Sequence, residues 1–313
     1  MGELKIFAGS AGVALGQRIC EYLNIAPGKA IIDHFPDGET LLKLDDDVRG
    51  KDCFVVQPTS PPVNDNLVQL LIFIDCLRRA SANRITAVIP YYGYARQDRK
   101  SEGRTPITAK LVANMIVEAG AHRVLAMHLH ADQIQGFFDV PLDHLSSAPV
   151  IAGHFKKLRL DNIALVSPDV GNIKTANEYG QRLGGDLVVI DKRRTAADST
   201  IAAHIIGEVE GKTVLMFDDM ITTGGTVVEA VKLLKRHGCG DIYVAATHAV
   251  FAGPCIQRLR SVPIEQICVT DTIPLSPEVS ATLKNLKVLS VASLIGEAIR
   301  RIHEHQSVSA LFS

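Results

Sequence analysis

A chain of 313 residues, 47% apolar and 21% charged, has the make-up of a globular protein long enough for two domains, and no apolar run is long enough to cross a bilayer. Its formal charge of −1 gives no electrostatic footprint for nucleic acid or an anionic membrane. The cysteines, Cys20, Cys53, Cys76, Cys239, Cys255 and Cys268, form no Cys-x-x-Cys pair and sit mostly in apolar runs. That is the pattern of buried thiols in a reducing compartment, and with no signal-peptide or myristoylation pattern at the start a cytoplasmic location is expected.

In chain order, 4–8 reads as a strand and 13–23 as a helix. Phe35-Pro-Asp37-Gly-Glu39 follows. Pro-Asp-Gly is turn chemistry and closes a hairpin on one reading. On the other, an aromatic ring flanked by Asp37 and Glu39 suits an adenine base and its ribose. Residues 53–57 read as a buried strand, and Asn64-Asp-Asn66 as the cap of a helix with Leu67, Leu70, Leu71, Ile74 and Leu77 at helical spacing. A strand at 85–90 empties into Tyr91-Tyr-Gly-Tyr-Ala-Arg96-Gln97-Asp-Arg99-Lys100. A basic cluster at the carboxyl end of a strand is where α/β folds bind anions, and it suits polyphosphate. Thr105-Pro106 opens the next helix on this reading, and Gly120 ends it. The strand at 123–129 delivers His130 to the same kind of position.

After a pause at 146–149 the alternation resumes: strand 163–167, helix 173–183, strand 187–190, strand 213–217 and strand 243–250. Alternating strands and helices predict parallel sheets flanked by helices. Asp169, at a strand end, is a candidate metal ligand. Lys192 and Arg194 follow another strand and suit charge developing on a transferring phosphoryl group. Residues 195–203, small and polar, read as a mobile flap carrying them. The stretch from Thr213 to Thr226 reads as strand, loop and helix. Amides at a helix start, the hydroxyls of Thr222, Thr223 and Thr226, and the compliant Gly224 and Gly225 form a phosphate cradle. Asp218 and Asp219 would repel that phosphate, so they suit ribose hydroxyls or a divalent cation. No Gly-x-x-x-x-Gly-Lys pattern is present, which excludes a P-loop. A final helix is expected over 292–303.

The Thr213–Thr226 stretch resembles the ribose-phosphate loop of the phosphoribosyltransferase fold. Together with 35–39, Gln57 through Asn66, Tyr91 through Lys100 and Leu129 through Asp139, nearly the whole chain resembles the class I ribose-phosphate pyrophosphokinases (PRPP synthetases). The resemblance implies two phosphoribosyltransferase-type α/β domains, 1–146 and 147–290, followed by a C-terminal helix and tail, 291–313. It implies transfer of the diphosphate of ATP to the 1-hydroxyl of ribose 5-phosphate. ATP would be held by Phe35, Asp37, Glu39, Arg96 and Gln97, and ribose 5-phosphate by Asp218, Asp219 and Thr222 through Thr226. Mg2+ would be met by His130 and Asp169, with Lys192 and Arg194 stabilising the transition state. It also implies a dimer-based homo-oligomer, probably a hexamer, and a regulatory phosphate/ADP site using Arg49, Ser81, Ser307 and Ser309. The chain departs from the family pattern at Asp47, where Ser is common, at His128, and at Thr222 and Gly224. A non-catalytic homologue and a PRPP-using transferase are the alternatives. The first would damage Lys192, Arg194, His130 or the loop, and the second lacks need of the ATP elements.

Overall fold

The computed structural model describes residues 2–168, 171, 173–194 and 201–311, and their side chains except those of 192–194, 201–203 and 310. The chain divides into two compact units, Met1–Ser146 with Thr272–Pro274 and Ser290–Ser313, and Ser147–Asp271 with Leu275–Leu289.

The first unit begins with β1 (Leu4–Ala8) and α1 (Val13–Leu23). The strands β2 (Ala30–His34) and β3 (Thr40–Leu44) form an antiparallel hairpin of their own. Then β4 (Asp52–Val56), α2 (Val63–Arg79), β5 (Arg84–Ile89), α3 (Thr108–Ala119), β6 (Arg123–Met127) and β7 (Leu142–Leu145) follow. The sheet order is β1-β4-β5-β6-β7, parallel throughout. Strands covered on both faces need continuous apolar runs rather than alternation. Accordingly all five residues of β4 and the last five of β5 are buried. The apolar stripe of α2, Leu67, Leu70, Ile74 and Leu77, packs into this core.

The second unit comprises α4 (Ala148–Leu158), β8 (Ile163–Ser167), α5 (Ile173–Leu183), β9 (Asp186–Arg194), β10 (Ile201–Ile206), β11 (Thr213–Ile221) and α6 (Gly225–Arg236). It continues with β12 (Ile242–Ala249), α7 (Cys255–Arg260), β13 (Gln266–Thr270), α8 (Pro277–Thr282) and β14 (Leu286–Leu289). Its sheet runs β10-β9-β8-β11-β12-β13-β14, parallel except for the β9–β10 pair. From β8 the chain winds outward one way to β9, and from β11 the other way to β12. The β8/β11 boundary is therefore a topological switch point, where a crevice opens beyond the carboxyl ends of the strands.

The last helix, α9 (Ala292–His303), belongs to the first unit and packs on α1. A Cβ on Gly296 would stand 2.5 Å from Tyr22 Cδ1, so only glycine lets the two helices approach this closely. Arg84 grips Asp52 with both arms of its guanidinium and donates to the Ile302 carbonyl, while His303 Nδ1 lies 2.8 Å from Asp52 Oδ2. Arg301, then burial, Arg300 and Tyr22, act on the Glu297 carboxyl, and the net effect holds it below the usual carboxylate range.

Several local expectations are corrected. Asn64–Asn66 do not cap α2; its N-cap is Pro62, and Asn66 instead donates from within the first turns to the Ser60 carbonyl (2.8 Å). Thr105 bonds back to Glu102 O (2.8 Å) and α3 starts at Thr108, because the chain first closes a turn. Residues 201–203, read as part of a flap, pair with β9 as the start of β10, where Ile201 faces Arg194 and Ala203 faces Lys192. Residues 195–200 lie outside the described residues. Among the described residues no helix is long and apolar enough to cross a membrane.

Candidate functional site

The second unit places its candidate residues along the carboxyl edge of one sheet. β11 pairs with β8 only over Thr213–Met216 but with β12 as far as Ile221. Its last residues, Phe217 to Ile221, therefore overhang β8 at the switch point. The ring of Phe217 stacks on Tyr179 of α5, with centroids 3.7 Å apart and planes within 8°. This seats the overhang on a rigid aromatic floor. Asp218 and Asp219 lie inside β11, not in the loop. Asp218 is half-buried and accepts the Asp219 N–H at Oδ1 (2.9 Å), and Asp219 is 9% exposed.

The loop proper is three residues, 222–224, and α6 begins at Gly225. Gly224 has φ +73, and a Cβ there would stand 3.2 Å from Cys255 Sγ, so the sharp entry to α6 requires glycine. Thr223 and Thr226 are exposed and Thr222 half-buried. The first amides of α6 have no partner one turn back in the helix, and with the hydroxyls they form a donor cluster at the positive end of the helix dipole. Its carbonyl side is turned elsewhere. Phe251 N–H donates to Ile221 O (3.0 Å), Ala252 N–H to Thr222 O (2.9 Å) and Arg258 Nη1 to Thr223 O (3.1 Å). No local signal in the sequence marks Arg258, which stands 35 residues away from Thr223 along the chain.

β9 also outruns its neighbour. β8 ends opposite Val189, so the backbone of Ile190 through Arg194 continues past it on the same edge. Lys192 and Arg194 lie on that extension. Asp169, the candidate metal ligand, lies outside the described residues.

The first unit carries the remaining candidates. The 91–97 loop after β5 is held from beneath: Gly93 N–H donates to Thr59 Oγ1 (2.7 Å), and Tyr92 OH to Ala109 O (2.8 Å). Arg96 and Gln97 emerge exposed from this anchored turn. Gln133 Nε2 reaches Asp98 Oδ2 (2.5 Å), so the loop after β5 joins the loop after β6, which carries the exposed His130. His144 Nε2 accepts the Leu129 N–H (2.8 Å) and fixes that second loop.

Phe35, Asp37 and Glu39 form the tip of the β2–β3 hairpin. Phe35 N–H donates to Glu39 O (2.8 Å), Gly38 has φ +94, and Phe35 is 47% exposed. The turn reading and an open aromatic face are thus both present.

Arg49 donates to Ser81 Oγ (3.2 Å), while the Asp47 carboxylate accepts the Arg49 N–H (3.1 Å). In the tail, Ser307 O accepts from Arg301 (3.0 Å), and Ser307 Oγ accepts the Ser309 N–H (3.2 Å).

All six thiols are free. Burial pushes Cys20 and Cys255 up to about 11, and Cys53 and Cys268 up to about 12, so none of these four is a nucleophile at neutral pH. Among the described residues no three His, Cys, Asp or Glu side chains come together as a metal cage.

A donor cluster for phosphate beside two carboxylates has the chemistry to meet a phosphorylated sugar at both ends. A family model described as the N-terminal domain of ribose phosphate pyrophosphokinase matches residues 4–120, and one described as the phosphoribosyl synthetase-associated domain matches 194–313. The ribose-phosphate pyrophosphokinase of Rhodopirellula baltica is 58% identical over 315 residues, covering 100% of this chain and 99% of that protein. That of Thermotoga maritima is 50% identical over 317 residues, covering 99% and 98%. The crystal structure of phosphoribosylpyrophosphate synthetase from Mycobacterium smegmatis superposes with a TM-score of 0.91 at 40% identity, covering 97% of this chain and 99% of that one.

Proposed function

The chain belongs to the ribose-phosphate pyrophosphokinase family, and from that premise we propose that it transfers the β,γ-diphosphate of ATP to the 1-hydroxyl of ribose 5-phosphate, giving PRPP and AMP. The observation that carries this reading to the site is the β11 overhang. Two carboxylates and then a loop of hydroxyls and amides follow one another at a switch point. The loop of Thr222, Thr223, Gly224, Gly225 and Thr226 takes the 5-phosphate. Asp218 and Asp219 accept hydrogen bonds from the ribose hydroxyls and so orient the ring. Phe35 stacks on adenine, with Asp37 and Glu39 as acceptors beside it. Arg96 and Gln97 meet the polyphosphate.

The ribose 1-hydroxyl gives up its proton to solvent as its oxygen attacks the β-phosphorus, the bond from that phosphorus to the α,β-bridging oxygen breaks, and AMP departs with the electron pair. Charge spreads over the equatorial oxygens in such a transfer, so positioning and fixed cations supply most of the rate gain. Lys192 and Arg194, whose backbone lies two residues apart on the β9 extension, would supply that positive charge.

Mg2+ keeps several waters and is held by one or two protein groups together with substrate phosphates. His130 and Asp169 suit a metal carried in with the nucleotide better than a resident one. When bound, the metal neutralises charge on the phosphate oxygens.

The enzyme works as a homo-oligomer in the cytoplasm. Support for assembly comes from apolar side chains left exposed on the first unit, Ile31, Leu41, Val68 and Leu111 among them. Phosphate or ADP control through Arg49, Ser81, Ser307 and Ser309 is weakened here, because the Asp47 carboxylate stands beside Arg49 and repels an anion.

Purified chain supplied with ATP, Mg2+ and ribose 5-phosphate is expected to release AMP and PRPP in equal amounts. Lys192→Ala is expected to cut the rate by about 100-fold or more, the scale of one lost transition-state contact. Absence of AMP while either substrate still binds would overturn the reading.

A further inference from the structure

One segment of chain ties down three consecutive carbonyls where β11 runs into the short loop before α6. Three consecutive peptide oxygens, those of Ile221, Thr222 and Thr223, accept from Phe251 N–H, Ala252 N–H and Arg258 Nη1 at 2.9 to 3.1 Å. A carbonyl oxygen repels phosphate, whereas an amide attracts it. A three-residue loop exposes one group or the other according to how its peptides are turned. Here the segment engages the carbonyls of Ile221 through Thr223, and α6 takes that of Gly224 through the Val228 N–H (3.0 Å).

The segment packs against the loop as well as bonding to it. Cys255, buried, has Sγ 3.2 Å and O 3.4 Å from where a Cβ of Gly224 would stand, and Leu259 Cγ lies at 3.6 Å. Arg258 Nη1 lies 3.6 Å from the corresponding point on Gly225, the first residue of α6. The backbone of Arg258 is itself fixed, since its N–H donates to Pro254 O (3.0 Å) and its carbonyl accepts from Ser261 Oγ (2.7 Å). At the loop it donates to a neutral carbonyl rather than a carboxylate, so no anionic partner offsets its charge there, beside a helix start that already favours anions.

We propose that residues 251–258 form a bracket that pre-organises the loop for ribose 5-phosphate, and that Arg258 is its positioning residue, fixing the Thr223 carbonyl and lending charge to the start of α6. This rests on the reading that the loop binds the sugar phosphate. Rotating the peptides into place before the ligand arrives removes a cost that binding would otherwise bear.

The test compares full-length wild type with Arg258→Ala and Arg258→Lys, measuring KM for each substrate and the rise in Tm on adding ribose 5-phosphate. Losing a charge-assisted contact is expected to raise KM for ribose 5-phosphate about 10- to 100-fold in Arg258→Ala, with KM for ATP within about two-fold. The ribose 5-phosphate-induced rise in Tm is expected to vanish in that variant, while ligand-free Tm stays within about 4 °C of wild type. Arg258→Lys, which keeps charge and a donor, recovers most of the affinity. Should Arg258→Ala fail to fold, Arg258→Met, which keeps the apolar stem, takes its place. Unchanged ribose 5-phosphate affinity in these variants overturns the bracket, as does a loss that falls on both substrates alike. A wild type that shows no response to ribose 5-phosphate sinks the functional reading itself.

Discussion

Asp52 opens β4 with its side chain 6% exposed, and a carboxylate so placed persists only if it is paired. It faces the Arg84 guanidinium and His303 Nδ1, and Arg84 passes the link on to the Ile302 carbonyl at 3.0 Å. Three elements that are distant in sequence, β4, β5 and α9, thus meet at one carboxylate. Removing it leaves two donors, each less than a quarter exposed, without their acceptor. Asp52→Ala is therefore expected to cost about 3 kcal/mol, the scale of a broken, largely buried pair, measured by urea denaturation. Asp52→Asn, which keeps an acceptor, should cost less. Equal and small losses in both variants would show that the cluster holds little of the stability.

At the scale of elements, α9 and α1 approach so closely that Gly296 lies under the ring of Tyr22. Alanine in a helix interior is ordinarily better than glycine by about 0.5–1 kcal/mol. Here the added methyl meets the ring at 2.5 Å. Gly296→Ala is expected to destabilise by about 1 kcal/mol in wild type and to stabilise in a Tyr22→Ala background, a reversal of sign that a double-mutant cycle reads directly. A Gly296→Ala effect that is the same in both backgrounds would contradict the close approach.

The same scale shows what was legible in the sequence. The bounds of α1, α5 and α9 follow from apolar residues at helical spacing. The strands β1 and β8 follow from short apolar runs. The start of α2 does not follow, because Asn64–Asn66 look like caps, yet Asn66 spends its amide on Ser60 O inside the helix. Nor does the start of α3, because Thr105 closes a turn instead of capping. β10 and α7 have six residues each, too few for a period to declare itself. The strand, loop and helix over 213–226 were legible because an apolar run, hydroxyls and glycines follow one another there. Arg258 was not, since only the fold brings it to Thr223.

Taken whole, the molecule leaves a band of apolar surface on its first unit. Alternation along the β2–β3 hairpin turns Ile32 and Leu42 to the core and leaves Ile31 and Leu41 outside, 45% and 39% exposed. Val68 and Leu111 are 46% and 55% exposed on α2 and α3. Val68, Ile72, Asp75 and Arg79 follow one face of α2, and an open depression of about 470 Å³ lined by Leu71, Ile72, Asp75, Cys76, Arg79 and Ala119 adjoins it. Sedimentation is expected to find an oligomer that the pair Val68→Glu and Leu111→Glu reduces to smaller species without unfolding. A wild-type monomer at micromolar concentration would contradict it.

In this reaction a diphosphoryl group, not a single phosphoryl, moves to the sugar. The most direct measurement is 31P NMR of the products from ATP, Mg2+ and ribose 5-phosphate. AMP is expected to appear in step with a diphosphate ester at the ribose 1-position, with no ADP. ADP together with a ribose bisphosphate, or ATP unchanged in the presence of bound ribose 5-phosphate, would contradict it.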